Sequence, residues 1–358
     1  MNILHLQDAA PGNLNPYIWE IVDTLNSLNG VQATAKESEF WNKENFYDII
    51  HIHWPEFSFE GMDLEVVETQ ISFHKQRGSK LVYTRHNAEP HKRDQTNRFE
   101  DADLYQDLYA LIIQHADGVI HHGEFSKSDL YSRYTVPKTQ KHVVIPHHIY
   151  EDIHIVSKEA GRKQLNISEE TFVILCFGNF RTLEETNLIK TAFRQVNIAN
   201  KLLLAPKLHI RYYTKEYPVK KLKWLARKLF YQGFKNEYKV DQGSISNEKL
   251  PYYFAAADCL VIQRQEVLTS GLLPMAFYQG KTIVAPRVGN ITEYIEQTEN
   301  ELYTPHSMSS LVDAIEKVSQ KDCASIGEMN RLFSLENWRK ERTVAMLYDF
   351  YIKLLINQ

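Results

Sequence analysis

The sequence predicts two doubly wound α/β domains. Short runs rich in Val, Ile and aromatic residues recur with helical periodicity between them, which is the pattern of a parallel sheet covered by helices. The series stops near residue 147 and restarts near residue 172. A chain of 358 residues is long enough for two cores. The expected domains are residues 1–155, completed by a C-terminal helix over 337–358, and residues 156–336.

In the first domain, strands are expected over Asn2 to Leu6, Asp48 to His53, Lys80 to Arg85, Gly118 to His121 and His142 to Pro146. Helices are expected over Tyr17 to Leu28 and Leu104 to Ala116. The segment HHIYEDIHIVSKEAGRKQLNIS carries no strong strand and reads as a connection with a short helix. The second series runs through Phe172 to Phe177, His209 to Tyr213, Tyr238 to Gln242, Cys259 to Gln263 and Thr282 to Pro286. A helix rich in aromatics closes the chain over Glu336 to Leu355. Two such sheets imply a cleft, because ligands of these folds gather beyond the carboxyl ends of the strands.

Composition excludes several classes. The hydrophobic share of 43%, the charged share of 24% and a formal net charge of −4 describe an ordinary globular protein without the basic footprint of a nucleic-acid binder. Cys176, Cys259 and Cys323 match no metal spacing and read as reduced thiols, which together with a start lacking a basic n-region points to the cytoplasm. No run approaches the roughly 18 apolar residues of a membrane span. Gly280-Lys281-Thr282 imitates the end of a P-loop, but Met275 stands where that motif needs glycine and the residues after it read as a strand. No Gly-x-Gly-x-x-Gly follows a strand, which argues against a dinucleotide enzyme.

The residues with chemical potential lie mostly at strand ends. LTSGLLPMAFYQGKTIVAPRVGN, residues 268–290, reads as a polar turn, a helix, a buried strand and a second Gly-Asn turn. Thr269, Ser270 and Gly271 in the first turn of that helix would offer hydroxyls, backbone N–H groups and a dipole end to a diphosphate. Gly178, Asn179 and Arg181 occupy a strand-to-helix turn, where glycine permits close approach and arginine clamps phosphate. VYTRHNAEPHKR gathers His86, Asn87, His91, Arg85, Lys92 and Arg93 in a turn suited to hydroxyls and phosphate, or simply in a solvated face. Histidines also cluster at His51 and His53, His121 and His122, and His147 and His148. The His51/His53 pair shares a face and could suggest a metal, but no third ligand is identifiable, so no metal is expected. Asp101-Ala102-Asp103 leads into a helix and reads as a helix-start acidic pair. Val219 to Lys235 interleaves six basic residues with Trp224, Leu225, Phe230 and Phe234, which suits either an anionic lipid surface or an ordinary surface helix.

Taken in order, NPYIWEIVDTLNSLNG, DIIHIHW, VYTRHNAEPHKR, GVIHHGEFSKSDL, VIPHHIY, FGNFRTLEETNLI, LTSG, GKTIVAPRVGNITEYI and FSLENWRKERTVAMLYDFY resemble the GT-B retaining glycosyltransferases of family four over most of the chain. The sequence departs from that family at its paired glutamates. Met275 stands at the second position and Glu266 is displaced by one from the first. Glu184-Glu185 replace the usual lysine after the arginine turn, and Lys207 is the candidate substitute.

The resemblance implies a GT-B fold of two Rossmann-like domains facing a central cleft, with the acceptor on the first and the donor on the second. It implies retaining transfer of a sugar from a nucleotide sugar to an acceptor hydroxyl in polysaccharide or glycan assembly. No metal and no cofactor is expected, and the acceptor is a glycan or lipid-linked molecule. His86 and Arg181 are the catalytic candidates, with His86 contacting the donor sugar. Gly12, Asn13, Gly178, Asn179, Lys207, Thr269, Ser270 and Gly271 are the donor and diphosphate candidates, and Asn87, His91, His122 and His147 the acceptor-side candidates. The enzyme is expected in the cytoplasm, with a peripheral hold on the membrane through residues 219–235. The alternatives are a noncatalytic nucleotide-sugar binding protein and a GT-B nucleotide-sugar epimerase.

Overall fold

The computed structural model describes residues 1–9, 16–89, 102–208, 238–239 and 245–356. The chain divides into two compact units, residues 1–148 with 338–358, and residues 149–337.

The first unit holds a parallel six-stranded sheet of β1 (Asn2–Leu6), β2 (Gln32–Ala35), β3 (Ile49–Ile52), β4 (Lys80–Arg85), β5 (Gly118–His121) and β6 (Lys141–Val144), in the order β2-β1-β3-β4-β5-β6. β2 was not among the expected strands, because QATA at the sheet edge buries only Ala33 and shows no apolar alternation. Alternation splits the other strands between two cores. Leu4, Ile50, Leu81 and Val119 face the helices Leu64–Gln76 and Ala102–His115. Ile3, Ile49, Val82 and Ile120 face the helices Tyr17–Asn26 and Lys340–Ile356.

The second unit holds β7 (Phe172–Leu175), β8 (Lys201–Leu204), β9 (Tyr238–Lys239), β10 (Cys259–Val261), β11 (Thr282–Pro286) and β12 (Glu301–Tyr303), in the order β12-β11-β10-β7-β8-β9. The expected strand over His209 to Tyr213 lies outside the described residues. β8 is formed by KLLL, a run without the β-branched residues that mark a strand, and β12 is only three residues long. The helices Leu183–Gln195 and Met308–Ser319 cover one face through Ile189, Phe193, Leu311 and Ile315.

The single closing helix expected over Glu336 to Leu355 is two, Cys323–Asn337 and Lys340–Ile356. The break falls where the chain passes from one unit to the other. Phe350 packs so tightly on β5 that a Cβ at Gly118 would stand 2.6 Å from its ring. Among the described residues, no helix is long and apolar enough to cross a membrane.

Each sheet has one point where strand order reverses, between β1 and β3 in the first unit and between β7 and β10 in the second. Open parallel sheets bind ligands at the carboxyl ends of the strands flanking such a point.

Candidate functional site

At the reversal point of the first sheet, the face that is aliphatic at its amino end turns to histidine at its carboxyl end. β1 runs Ile3 then His5, and β3 runs Ile49, His51, His53. The next strands continue with Val82, Thr84, His86 and Ile120, His122, the two-residue steps that keep side chains on one face. His5 and His51 are direct cross-strand neighbours. His5, His51, His53, His86 and His122 are all buried.

These rings bond to one another. His5 Nδ1 lies 2.9 Å from His53 Nε2, His53 Nδ1 lies 3.1 Å from His86 Nε2, and His86 Nδ1 lies 3.3 Å from His122 Nε2. His122 Nδ1 then meets the Ile145 carbonyl at 2.9 Å. His51 stands beside this chain, with Nδ1 at 2.5 Å from the Tyr351 hydroxyl and Nε2 at 2.7 Å from Thr84 Oγ1. Trp54 stacks on His86 with centroids 4.2 Å apart, and Tyr17 stacks on His148 at 4.9 Å. His148 Nε2 lies 3.0 Å from the buried Glu20 carboxylate.

The third histidine that the sequence did not reveal beside His51 and His53 is His5. The three place nitrogen atoms within 4.8 Å of one another. It was missed because it lies 46 residues away from His51 on a different strand, and only the β1–β3 register brings them together. The geometry nonetheless suits hydrogen bonds better than a metal. Two nitrogens on one tetrahedral zinc, bound at about 2.0–2.1 Å, stand roughly 3.3 Å apart, and both nitrogens of His51 already have partners. Burial disfavours the charged rings, holding His5 down to about 3 and His122 to about 4. His51 and His53 are held well below the ordinary value by burial and then by their histidine neighbours.

Of the first-unit candidates, His86 and His122 join this cluster. So does His147, whose ring lies 4.5 Å from Tyr17 and whose Nδ1 donates to the His148 carbonyl. Asn87 does not, because strand alternation turns it to the opposite face, against the Tyr109 hydroxyl. Arg85 also leaves the expected basic turn. It is fully buried, donates to the Ser126 carbonyl at 2.6 Å and pairs with Asp129 at 2.5 Å. Gly12, Asn13, His91, Lys92, Arg93 and Asp101 lie outside the described residues.

In the second unit, the turns after β7, β8 and β10 carry the remaining candidates. Gly178 adopts a positive φ of 93°, which turns the chain sharply after β7. Buried Gln263 donates to the carbonyls of Phe177 and Asn179, both at 3.3 Å, and fixes that turn. Arg181 is exposed, and its backbone amide donates to Glu185 Oε2 at 2.6 Å. Glu185 is thus a clasp for the arginine turn, and Arg264 binds its other side. Arg264 was not singled out in the sequence; its only signal is the polar run Gln263-Arg264-Gln265 immediately after a buried strand. Lys207 is half-buried, just beyond β8.

Thr269 and Ser270 do not sit in the first turn of a helix. The helix runs Leu272–Tyr278 with Gly271 as its N-cap, so both hydroxyls precede it. The Gly-Asn turn expected at 289–290 instead begins the helix Gly289–Ile295. Gly289, at φ 52°, lies so close to the 267–268 backbone that a Cβ would stand 2.3 Å from the Val267 carbonyl oxygen. Asn290 donates its backbone amide to the Leu268 carbonyl at 2.9 Å and its side-chain amide to Thr269 Oγ1 at 2.9 Å. The TSG loop is therefore held from behind by the next helix start.

No protein-family model and no curated protein matches the sequence. Solved structures match it over their full length. The sucrose-phosphate synthase of Thermosynechococcus elongatus is 16% identical, with a TM-score of 0.71 and all of both chains covered. Anabaena Alr3699/HepE in complex with UDP and glucose is 16% identical with a TM-score of 0.71, covering 99% of this chain and all of that one. WaaG, a glycosyltransferase involved in lipopolysaccharide biosynthesis, is 14% identical with a TM-score of 0.63, covering 97% and 99%. The fold is GT-B, built from two Rossmann-like parallel-sheet domains.

Proposed function

We propose that this protein is a glycosyltransferase that moves a sugar from a nucleotide sugar to an acceptor hydroxyl. The observation that carries the reading is the end-to-end match to glycosyltransferases, among them HepE with UDP-glucose and a starch synthase with ADP and acarbose, in a chain whose two reversal points both hold polar clusters. The second unit takes the nucleotide diphosphate. Arg181, the backbone and hydroxyls of the Thr269-Ser270-Gly271 loop, and Lys207 answer its charge as the leaving group departs. The first unit contributes His86, held by the buried histidines behind it, as the residue nearest the reacting sugar.

Transfer proceeds with retention and without a metal, the leaving diphosphate taking the acceptor's proton on the same face. The acceptor is a growing glycan or lipid-linked saccharide. The enzyme works in the cytoplasm, and residues 219–235 bring it to an anionic membrane. The deciding experiment incubates the full chain with UDP-glucose and related nucleotide sugars, with and without glycan acceptors, and measures free nucleoside diphosphate and the anomeric configuration of the product. Acceptor-dependent release supports the reading. Binding without release would leave a noncatalytic binding protein, and isomerised nucleotide sugar would mark an epimerase.

A further inference from the structure

The Ile145 carbonyl can only accept a hydrogen bond, so the His122 Nδ1 that meets it at 2.9 Å carries the proton. With the ring neutral, His122 Nε2 is a bare lone pair, and the Tyr17 hydroxyl at 3.5 Å faces that same nitrogen. His86 Nδ1, 3.3 Å away, must then be the donor, which leaves His86 Nε2 bare. The same step repeats at His53, whose Nδ1 donates to His86 Nε2 across 3.1 Å, and at His5, whose Nδ1 donates to His53 Nε2 across 2.9 Å. The sequence of steps ends at His5 Nε2, which is buried and has no hydrogen-bond partner among the described residues.

We propose that the Ile145 carbonyl, acting through His122, fixes the tautomer of three further buried rings, which makes His122, His53 and His5 positioning residues for a neutral, Nδ1-protonated His86. The proposal rests on the reading above that His86 lies nearest the reacting sugar. Four rings from four strand ends, β1, β3, β4 and β5, are polarised in one direction by a single backbone atom beyond a fifth strand, β6. A proton added at His86 would reverse the inner half of the chain, because His86 Nε2–H would then donate to His53 Nδ1 and His53 Nε2–H to His5 Nδ1. The tautomers of His53 and His5 therefore report the charge of His86, although neither ring is exposed.

The test uses the full chain labelled with ¹⁵N at histidine, because two-bond nitrogen–proton correlations read each tautomer directly. At pH 7.5 His5, His53, His86 and His122 should each show protonated Nδ1 and bare Nε2. His122→Phe removes the link to Ile145, and His86, His53 and His5 should then become mixtures of both tautomers. His122→Gln keeps a carbonyl that accepts from His86 and should restore the single tautomer. Protonated Nε2 at His53 or His5 in the wild type, or single tautomers surviving in His122→Phe, would overturn the proposal. A stoichiometric zinc ion that shifts His5 and His53 and is removed by chelator would do so as well, replacing the relay with a metal centre. Added UDP-glucose should shift the His86 nitrogens. Bound UDP-glucose that leaves them unmoved would overturn the positioning role. Turnover of UDP-glucose is measured separately, so a failure of the transferase reading is seen in that assay and a failure of the relay in the spectra.

Discussion

Glu185 holds Arg264 through both carboxylate oxygens, at 3.2 and 3.3 Å, although 79 residues separate the two in the chain. The same carboxylate receives the Arg181 amide, so one buried acid ties the turn after β7 to the turn after β10 at the reversal point of the second sheet.

Glu185→Ala leaves Arg264 largely buried with that partner removed and should lower stability by about 3 kcal/mol, near the low end for a broken buried pair because Arg264 keeps some contact with water. Glu185→Gln, which still accepts from the Arg181 amide, should cost less. Urea unfolding of both variants checks the order. Equal stability of Glu185→Ala and wild type would mean that the clasp is incidental.

Arg181→Ala should weaken UDP binding by roughly 1.5–3 kcal/mol, the size of one charge-assisted contact. The double change Thr269→Ala with Ser270→Ala should weaken it too, and Asn290→Ala should act in the same direction at a distance because it releases Thr269 from behind. Titration calorimetry separates the cases. Undiminished affinity in Arg181→Ala and in the double variant together would remove the diphosphate assignment.

The buried histidines make the fold sensitive to acid. His5 and His122 have ordinary values of 6.5 and are lowered in the folded chain to about 3 and about 4, so between those limits the unfolded chain binds more protons. Stability is therefore complete above about pH 7 and falls as pH drops through 6.5, by about 1.4 kcal/mol per pH unit for each such ring until its folded value is reached. His51 and His53 add to the slope in the same direction. Urea midpoints from pH 8 to pH 5 should decline steeply. His5→Phe should flatten that decline if it folds, and a flat wild-type profile would contradict the neutral buried cluster.

Activity should survive chelation. Arg181, Lys207 and backbone amides answer the phosphate charge in the proposed site, so EDTA should leave turnover within about twofold of control. Abolished turnover that magnesium or manganese restores would assign the leaving-group charge to a metal.

Residues 219–235, outside the described part of the structure, should bind anionic vesicles. Each basic side chain near such a surface contributes about 1 kcal/mol, and added salt should release the protein. Co-sedimentation with phosphatidylserine vesicles checks this, against a variant with Lys220, Lys221, Lys223, Arg227 and Lys228 changed to Glu. Equal binding to neutral vesicles, or undiminished binding by the variant, would leave the segment without a membrane role.

The sheets were legible because their long strands alternate or run apolar, as β4 and β11 do. β2, β8 and β12 escaped because segments as short as QATA or KLLL carry no decisive period, and pairing with a neighbouring strand defines them. Candidates for the site could be picked out where one strand end holds its own chemistry, as with His86 or Arg181. It was hidden where chemistry arises from register, as with His5 beside His51, or from a long-range pair, as with Glu185 and Arg264. Thr269 and Ser270 were placed in a helix because hydroxyls before an apolar run usually cap one. Here Gly271 takes the cap.

The helix Lys340–Ile356, which lays Phe350 and Tyr351 against the first sheet, has a consequence for biosynthesis. At typical elongation rates of about 5–20 residues per second, roughly 10 to 40 s pass on the ribosome between completion of β6 and arrival of this helix. Throughout that interval the face bearing Ile49, Val82 and Ile120 lacks its final cover, and His51 lacks the Tyr351 hydroxyl. The nascent first unit thus keeps an apolar face open until residues 340–356 have been made.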